Sequence, residues 1–145
     1  MPDPIIRPAH IPDAQWSRLE TLITLMNRDG TARSEPMREI FARLGDRWSM
    51  LLLQILRAGP LRSATLRRLT GQLSAEGRIS QRIFTLQLRL LEQNGLIIRT
   101  VTPTVPVSVD YSLSPLGHSL LDEVDHVMNW IRANKDAFPP PADPA

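Results

Sequence analysis

Apolar residues recur at helical spacing through most of this chain and give way to strand-like runs in one place only. Trp16, Leu19, Leu22, Ile23 and Met26 mark an amphipathic helix that opens at Pro12 and runs to about Arg28, where Asp29-Gly30 stops it. Ser34 as cap and Pro36 in the first turn predict a second helix, with Met37, Ile40, Phe41 and Leu44 on its apolar face. Gly45-Asp46 breaks it. Asp46 then caps a third helix, Arg47–Arg57, whose Trp48, Met50, Leu51, Leu52, Leu53, Ile55 and Leu56 make it apolar nearly all round, the mark of a central helix. After Ala58-Gly59-Pro60, Ser63 is expected to cap Ala64–Leu69, with Leu66 and Leu69 facing in and Arg67 and Arg68 facing out. Ser80 caps the next helix, where Phe84, Leu88 and Leu91 face the core and Asn94-Gly95 provides the stop. A last helix opens at Ser114-Pro115 and carries Leu116, Leu120, Leu121, Val124, Val127, Met128 and Ile131 to about Ala137.

The strand-like runs are Leu96–Val101 and Val107–Leu113, rich in β-branched and apolar residues around Thr102-Pro103-Thr104-Val105-Pro106. They predict a hairpin with a long tip, and Pro60-Leu61-Arg62 could pair with it as a short third strand. A helix followed at once by such a hairpin is the core of a winged helix-turn-helix, in which the helix enters a major groove and the hairpin lies along the backbone or minor groove. The expected fold is mainly α with a small β-hairpin wing. The Ala64–Leu69 helix and the one after Ser80 would be the two halves of the helix-turn-helix. Their connection, Thr70–Ile79, is longer than the usual turn of about 3–4 residues, so either it bulges or it holds an extra helical turn. The expected layout is a tail over 1–11, a helix over 12–30, the winged domain over 31–137 with its last helix over about 114–137, and a second tail over 138–145. Prolines, four in the first twelve residues and four in the last seven, argue that both tails are disordered.

Composition bounds the chemistry. Zero cysteines exclude disulfides, thiol sensing and cysteine nucleophiles. There is no apolar run long enough to span a membrane and no signal-peptide pattern at the start, so a cytoplasmic, nucleoid-associated protein is expected. The net charge of +2 is unevenly spread. Between Arg57 and Arg99 lie eight arginines (Arg57, Arg62, Arg67, Arg68, Arg78, Arg82, Arg89, Arg99) against Glu76 and Glu92, so this segment is +6 and the remainder −4. Arg forks suit phosphate oxygens and guanine edges. A basic segment is often just a solvated surface, but this one overlaps the helix-plus-hairpin pattern, which favours nucleic acid as the partner.

On the helix after Ser80, the side opposite the core carries Gln81, Arg82, Thr85, Leu86 and Arg89. Gln reads adenine, Arg reads guanine, and Thr or Leu methyls pack on the thymine methyl. Ser80 leaves free backbone N–H groups for a phosphate. Arg67, Arg68 and Arg78 are placed for backbone phosphates, which position without specifying. The wing offers Arg99, Thr102, Thr104 and Ser108. For each Arg the bland alternative is solubility. For Leu86 a contact with the long connection is the preferred reading. Trp16, Trp48 and Trp130 could line an aromatic-ligand pocket, although such residues are more often core or interface anchors. His118 and His126 sit eight apart, not the four that would share a metal, and no metal, cofactor or catalytic constellation stands out.

The pieces PMREIFARLGDRWSMLLLQILRAGPLR, LRRL and ISQRIFTLQLRLLEQNGLIIRTVTPTVPVSVDYSLSPLGHSL resemble the HxlR-type winged helix-turn-helix regulators, relatives of the MarR group. The resemblance runs from about Glu35 to Trp130. Its landmarks are Gly45, Arg47 and Trp48; Leu91, Glu92, Gly95 and Leu96; and Val109, Tyr111, Ser112, Leu113 and Gly117. It implies a homodimer on a short inverted-repeat operator, with the first and last helices as the dimer interface: Trp16, Leu19, Ile23 and Met26 with Leu120, Val124, Val127, Trp130 and Ile131. Many members sense oxidants through a cysteine just before the proline of the first matched helix; Glu35 stands there in this chain. The family's Gln-Arg pair falls on Leu86-Gln87, its recognition-helix Glu on Leu90 and its wing Arg on Ser108. These departures imply a different operator or weaker DNA binding.

The resulting expectation is a sequence-specific DNA-binding transcriptional regulator, a homodimeric repressor of promoter DNA, with room for a small-molecule effector and no membrane partner. The alternative is a winged-helix dimer with degenerate DNA readout that serves as a ligand-binding or protein-interaction module. An enzyme ranks third.

Overall fold

The computed structural model describes residues 4–29 and 35–142. The expected stop at Gly30 and cap at Ser34 lie outside the described residues. The chain divides into two compact units, residues 1–42 and 43–145. In the first, α1 spans Asp13–Asp29. Just before it, the Arg7 guanidinium donates to the Ile11 carbonyl and to Asp13 Oδ1, both at 2.6 Å. Helix α2, Pro36–Gly45, begins in this unit and ends in the second; it buries none of its residues. On the expected apolar face of α2, Ile40 and Leu44 are half-buried, while Phe41 is 64% exposed and Met37 49%.

The second unit is built around α3, Arg47–Leu56. Asp46 caps it as expected, with Oδ1 accepting from the Ser49 N–H at 2.9 Å. Leu52, Leu53, Ile55 and Leu56 are all buried, and α3 packs against α4, α5, β3 and α6. Strand β1, Leu61–Arg62, leads directly into α4, Ser63–Leu73. Two details of α4 differ from the sequence expectation. Ser63 is the first helical residue rather than the cap; Arg62 holds the cap position and makes no side-chain capping bond. The helix also continues past Leu69 to Leu73, because Thr70 faces the core with its hydroxyl satisfied by the Leu66 carbonyl at 2.7 Å. The long connection thus contains an extra helical turn, and only Ser74–Ser80 remains to link α4 to α5, Gln81–Gln93.

Strands β2, Ile97–Thr102, and β3, Ser108–Leu113, form the hairpin in antiparallel register from Ile97–Leu113 to Thr102–Ser108. Strand β1 adds to the other edge of β3, pairing Leu61 with Tyr111 and Arg62 with Asp110. The sheet order is β1-β3-β2. Helix α6, Pro115–Ala133, follows, and a 3-10 turn at Lys135–Ala137 replaces the straight continuation the sequence suggested. Phe138, assigned to the tail on sequence grounds, lies edge-on to Trp130 with ring centroids 5.9 Å apart. Among the described residues no helix is long and apolar enough to cross a membrane.

Two locks tie these elements together. At the end of α5 the Leu96 N–H reaches back to the Leu91 carbonyl (3.0 Å) and the Gly95 N–H to the Glu92 carbonyl (2.9 Å). This is the Schellman arrangement, with Gly95 at φ +73° and Leu91 and Leu96 both buried. Ser114 then joins that turn to α6: its hydroxyl donates to the Gly95 carbonyl at 2.6 Å and accepts from the Gly117 N–H at 3.0 Å. Gly117 is so close to the turn that an added Cβ would lie 2.3 Å from the Leu96 carbonyl oxygen and 2.7 Å from Leu113 Cδ1.

The second lock is ionic. Arg57 donates to Asp125 through both terminal nitrogens, at 2.9 and 2.7 Å, and to Asp122 at 3.0 Å. One of the cations counted in the basic segment is therefore spent on the α3–α6 junction.

Gly117→Ala should destabilise the fold by roughly 1–3 kcal/mol, the usual cost of forcing atoms into a packed site, as read by urea unfolding. The Arg57 guanidinium, chiefly by hydrogen bonding, holds the Asp125 carboxyl below its ordinary value of 3.8. A depressed carboxyl contributes its full share of stability above the ordinary carboxylate range and loses it as pH falls through the lowered value. Asp125→Asn should therefore melt earlier than the parent at pH 7, with the gap closing at lower pH; thermal melts at the two ends of that range check this.

Candidate nucleic-acid interface

The exposed face of α5 is defined by what the buried face does. Phe84, Leu88 and Leu91 are 2% exposed or less. Gln87 shares their side of the helix, only 8% exposed, and joins a polar cluster with α3. The Ser49 hydroxyl donates to Gln87 Oε1 at 2.8 Å, and Gln87 Nε2 donates to Asp46 Oδ2 at 3.2 Å. Asp46 thus caps α3 with one carboxylate oxygen and holds α5 with the other. Buried polar groups are stable only when satisfied, and here each side chain satisfies the next. Sequence reading missed this role for Gln87. The available signal was its position, three residues after Phe84 and four before Leu91, which puts a polar side chain on the core face.

With the helix held this way, Gln81, Arg82, Thr85 and Arg89 are all exposed. Gln81 Nε2 donates to Thr85 Oγ1 at 3.1 Å, so one pair on this face is already ordered. Ser80 caps α5, its hydroxyl accepting from the Ile83 N–H at 3.1 Å. Leu86 is 44% exposed on the same face, so it is only partly covered.

The connection is itself ordered. Ile79 is 3% exposed and anchors its end. Glu76 accepts from Arg47 at 2.7 Å and from the Ser74 hydroxyl at 2.9 Å; hydrogen bonding from Arg47 first, then Ser74, lowers its pKa. Between α4 and the start of α5 runs a cleft of about 770 Å³ whose lining includes Arg67, Arg68, Arg78, Gln72 and Gln81. Arg68 and Arg78 are exposed. Arg67 is not simply outward-facing as expected: it is half-buried, and its guanidinium leans on the Ile79 carbonyl at 3.3–3.4 Å. A second cleft, of about 540 Å³, lies between the start of α4 and the wing tip; Arg62, Ser63 and Thr104–Val109 line it. Arg62 was not among the expected site residues, although it is exposed there. On the wing, Arg99, Thr102 and Thr104 are exposed and Ser108 is half-buried. The Thr104 hydroxyl donates to the Pro106 carbonyl at 2.8 Å, which braces the tip.

Two helices joined by a short connection, a three-stranded sheet and a hairpin beside the second helix define a winged helix-turn-helix domain. The family model for HxlR-like helix-turn-helix proteins matches residues 43–138. The chain is 36% identical over 99 residues to YtfH, an HTH-type transcriptional regulator of Escherichia coli, covering 68% of this chain and 74% of the relative. The reduced form of the transcriptional regulator YodB from Bacillus subtilis superposes with a TM-score of 0.55 at 34% identity, covering 74% and 95% of the two chains. The redox regulator HypR in its reduced form gives 0.58 at 32% identity, covering 71% and 96%. The chain belongs to the HxlR-like helix-turn-helix family: it is a DNA-binding regulator of transcription, not an enzyme.

Gln87→Ala should cost roughly 1–3 kcal/mol, because it leaves the buried Ser49 hydroxyl and one Asp46 oxygen unpaired. Arg82→Ala, on the open side of the same helix, should stay within about 0.5 kcal/mol of the parent. Paired urea titrations separate the two faces.

Proposed function

We propose that the protein represses transcription by occupying promoter DNA as a homodimer on an inverted-repeat operator. The observation that carries this reading is the open arc of α5, where Gln81, Arg82, Thr85 and Arg89 stand exposed on a helix clamped from behind by Gln87. In this reading Arg82 and Arg89 read base edges and Ser80 meets a phosphate at the helix start. Arg68 and Arg78, with Arg67 behind them, follow the backbone. Arg99, Thr102, Thr104 and Ser108 carry the wing along the flanking groove.

The two-fold pair is supported by apolar side chains left open on helices. On α6, Val127 is 58% exposed, Trp130 59% and Ile131 46%, beside half-buried Leu120 and Val124. On α1, Met26 is 52% exposed, beside half-buried Trp16, Leu19 and Ile23. An isologous interface of this kind matches a palindromic site. HypR is described as a redox regulator; with no cysteine, this chain would have to receive its signal by chemistry other than a thiol's.

Binding to DNA upstream of the protein's own gene, at two salt concentrations and against unrelated competitor, tests the reading. Retention that survives competitor and weakens with salt is expected. Arg82→Ala combined with Arg89→Ala should lower specific affinity by about tenfold or more per lost base contact, with melting unchanged. Equal, weak binding to both DNAs would instead favour a ligand-binding or protein-interaction module. Trp130→Glu should halve the mass seen by sedimentation; an unchanged mass would count against α6 as the interface.

A further inference from the structure

We infer that Leu86 reads sequence, by packing against the 5-methyl group of a thymine in the major groove. The inference rests on the reading of α5 as the recognition helix and adds a contact that neither charge nor hydrogen bonding supplies.

A single exposed Leu is ordinary on a protein surface. The surroundings of Leu86 are what matter. Helix α5 separates its faces cleanly: Phe84, Gln87, Leu88 and Leu91 are buried, while Gln81, Arg82, Thr85 and Arg89 are exposed. Leu86, at 44% exposure, is the apolar member of the exposed group. It lies four residues after Arg82 and three before Arg89, so the two guanidiniums are its neighbours along the helix surface. Its own domain leaves it 44% open. Ile79, the large apolar residue of the connection that ends at Ser80, is itself turned into the core. The two cations would draw this stretch of helix against a polyanion and bring Leu86 to the groove floor with them.

Leu offers no donor or acceptor. On the floor of a major groove, the base-edge group that rewards a purely apolar side chain is the thymine methyl. Arg82 and Arg89 would fix the depth of the helix, and the Leu86 methyls would then discriminate thymine from cytosine. Among the exposed residues of this face the other apolar group is the γ-methyl of Thr85, whose hydroxyl is tied to Gln81; Ile83 and Leu90 beside it are half-buried. Thr85 is the competing reader.

The test uses the full chain and a site recovered from a random duplex library. Each thymine of that site is replaced singly by deoxyuridine, which removes the methyl and keeps the pairing. Affinities are measured by fluorescence anisotropy for the parent, Leu86→Ala and Thr85→Ser. In the parent, at least one thymine should cost about fourfold on losing its methyl, the worth of burying one such carbon. Leu86→Ala should bind the unmodified site weaker by a similar factor and be indifferent to that methyl, whereas Thr85→Ser should keep the parent's sensitivity. The inference is overturned if the parent binds its site in a salt-dependent way but ignores every thymine methyl. It is also overturned if Thr85→Ser, rather than Leu86→Ala, abolishes the sensitivity. If the library yields no sequence above background, the regulator reading falls and this inference with it.

Discussion

The open face of α5 depends on one buried polar cluster. Asp46, Ser49 and Gln87 close a chain of hydrogen bonds between the start of α3 and the middle of α5. Apolar packing of Phe84, Leu88 and Leu91 supplies most of the attraction between helix and core, but apolar contact is nondirectional and tolerates small rotations. A buried amide with two fixed partners does not. If α5 rolled about its axis, the amide would lose partners it cannot replace with water, so the cost rises steeply with angle. The rotation of α5 decides which side chains face outward, and Gln87 therefore sets the surface composition of a face it is not part of. The same Asp46 caps α3, so the orientation of α5 is referred directly to the central helix of the domain.

The wing is held by a different device, based on close approach. The Schellman turn at Gly95 and the Ser114 hydroxyl bring the end of α5, the start of β2 and the first turn of α6 together. Gly117 makes that junction tight because it has no Cβ to hold the Leu96 carbonyl away. Helix and hairpin are thereby fixed at one hinge, and α6 shares it. Any change in how α6 packs would be felt at the turn that joins α5 to the wing, through backbone contacts rather than through a long chain of side chains.

Much of this was readable from spacing. The helices, the hairpin and the third strand at Leu61–Arg62 follow from periodicity and stop residues, because burial imposes the period. The Asp46, Ser80 and Ser114 caps follow from local hydrogen-bond chemistry. The Gln87 miss has a physical cause: it depends on partners far away in the chain. Gln87 is an ordinary helix residue until Asp46 and Ser49 are placed 41 and 38 residues back. The sequence leaves open whether the Thr70–Ile79 connection bulges or holds an extra helical turn; the extra turn forms, with Thr70 buried and its hydroxyl bonded within the helix. Leu86 is expected from the sequence to meet the connection; it is 44% exposed, and Ile79 of that connection is turned into the core. The helix α2 pattern was apolar on one face in sequence, yet Phe41 and Met37 are open, since periodicity reports that a face wants burial and not what buries it.

Charge follows the same division of labour. The basic segment runs from Arg57 to Arg99, but its members are not equivalent. Arg57 is committed to Asp122 and Asp125, where a planar fork can grip one carboxylate with both ends and still reach a second. Arg67 is drawn partly inward by a backbone carbonyl. Arg62, Arg68, Arg78, Arg82, Arg89 and Arg99 are exposed on β1, α4, the connection, α5 and the wing. Arg57 thus occupies two acids of α6 at the C-terminal end of α3. A net charge of +2 therefore understates the field a polyanion would meet, because the formal sum spreads over the whole chain charges that the sequence concentrates between Arg57 and Arg99. The basic segment thus presents a cationic surface on a chain that carries 15 acidic residues in all.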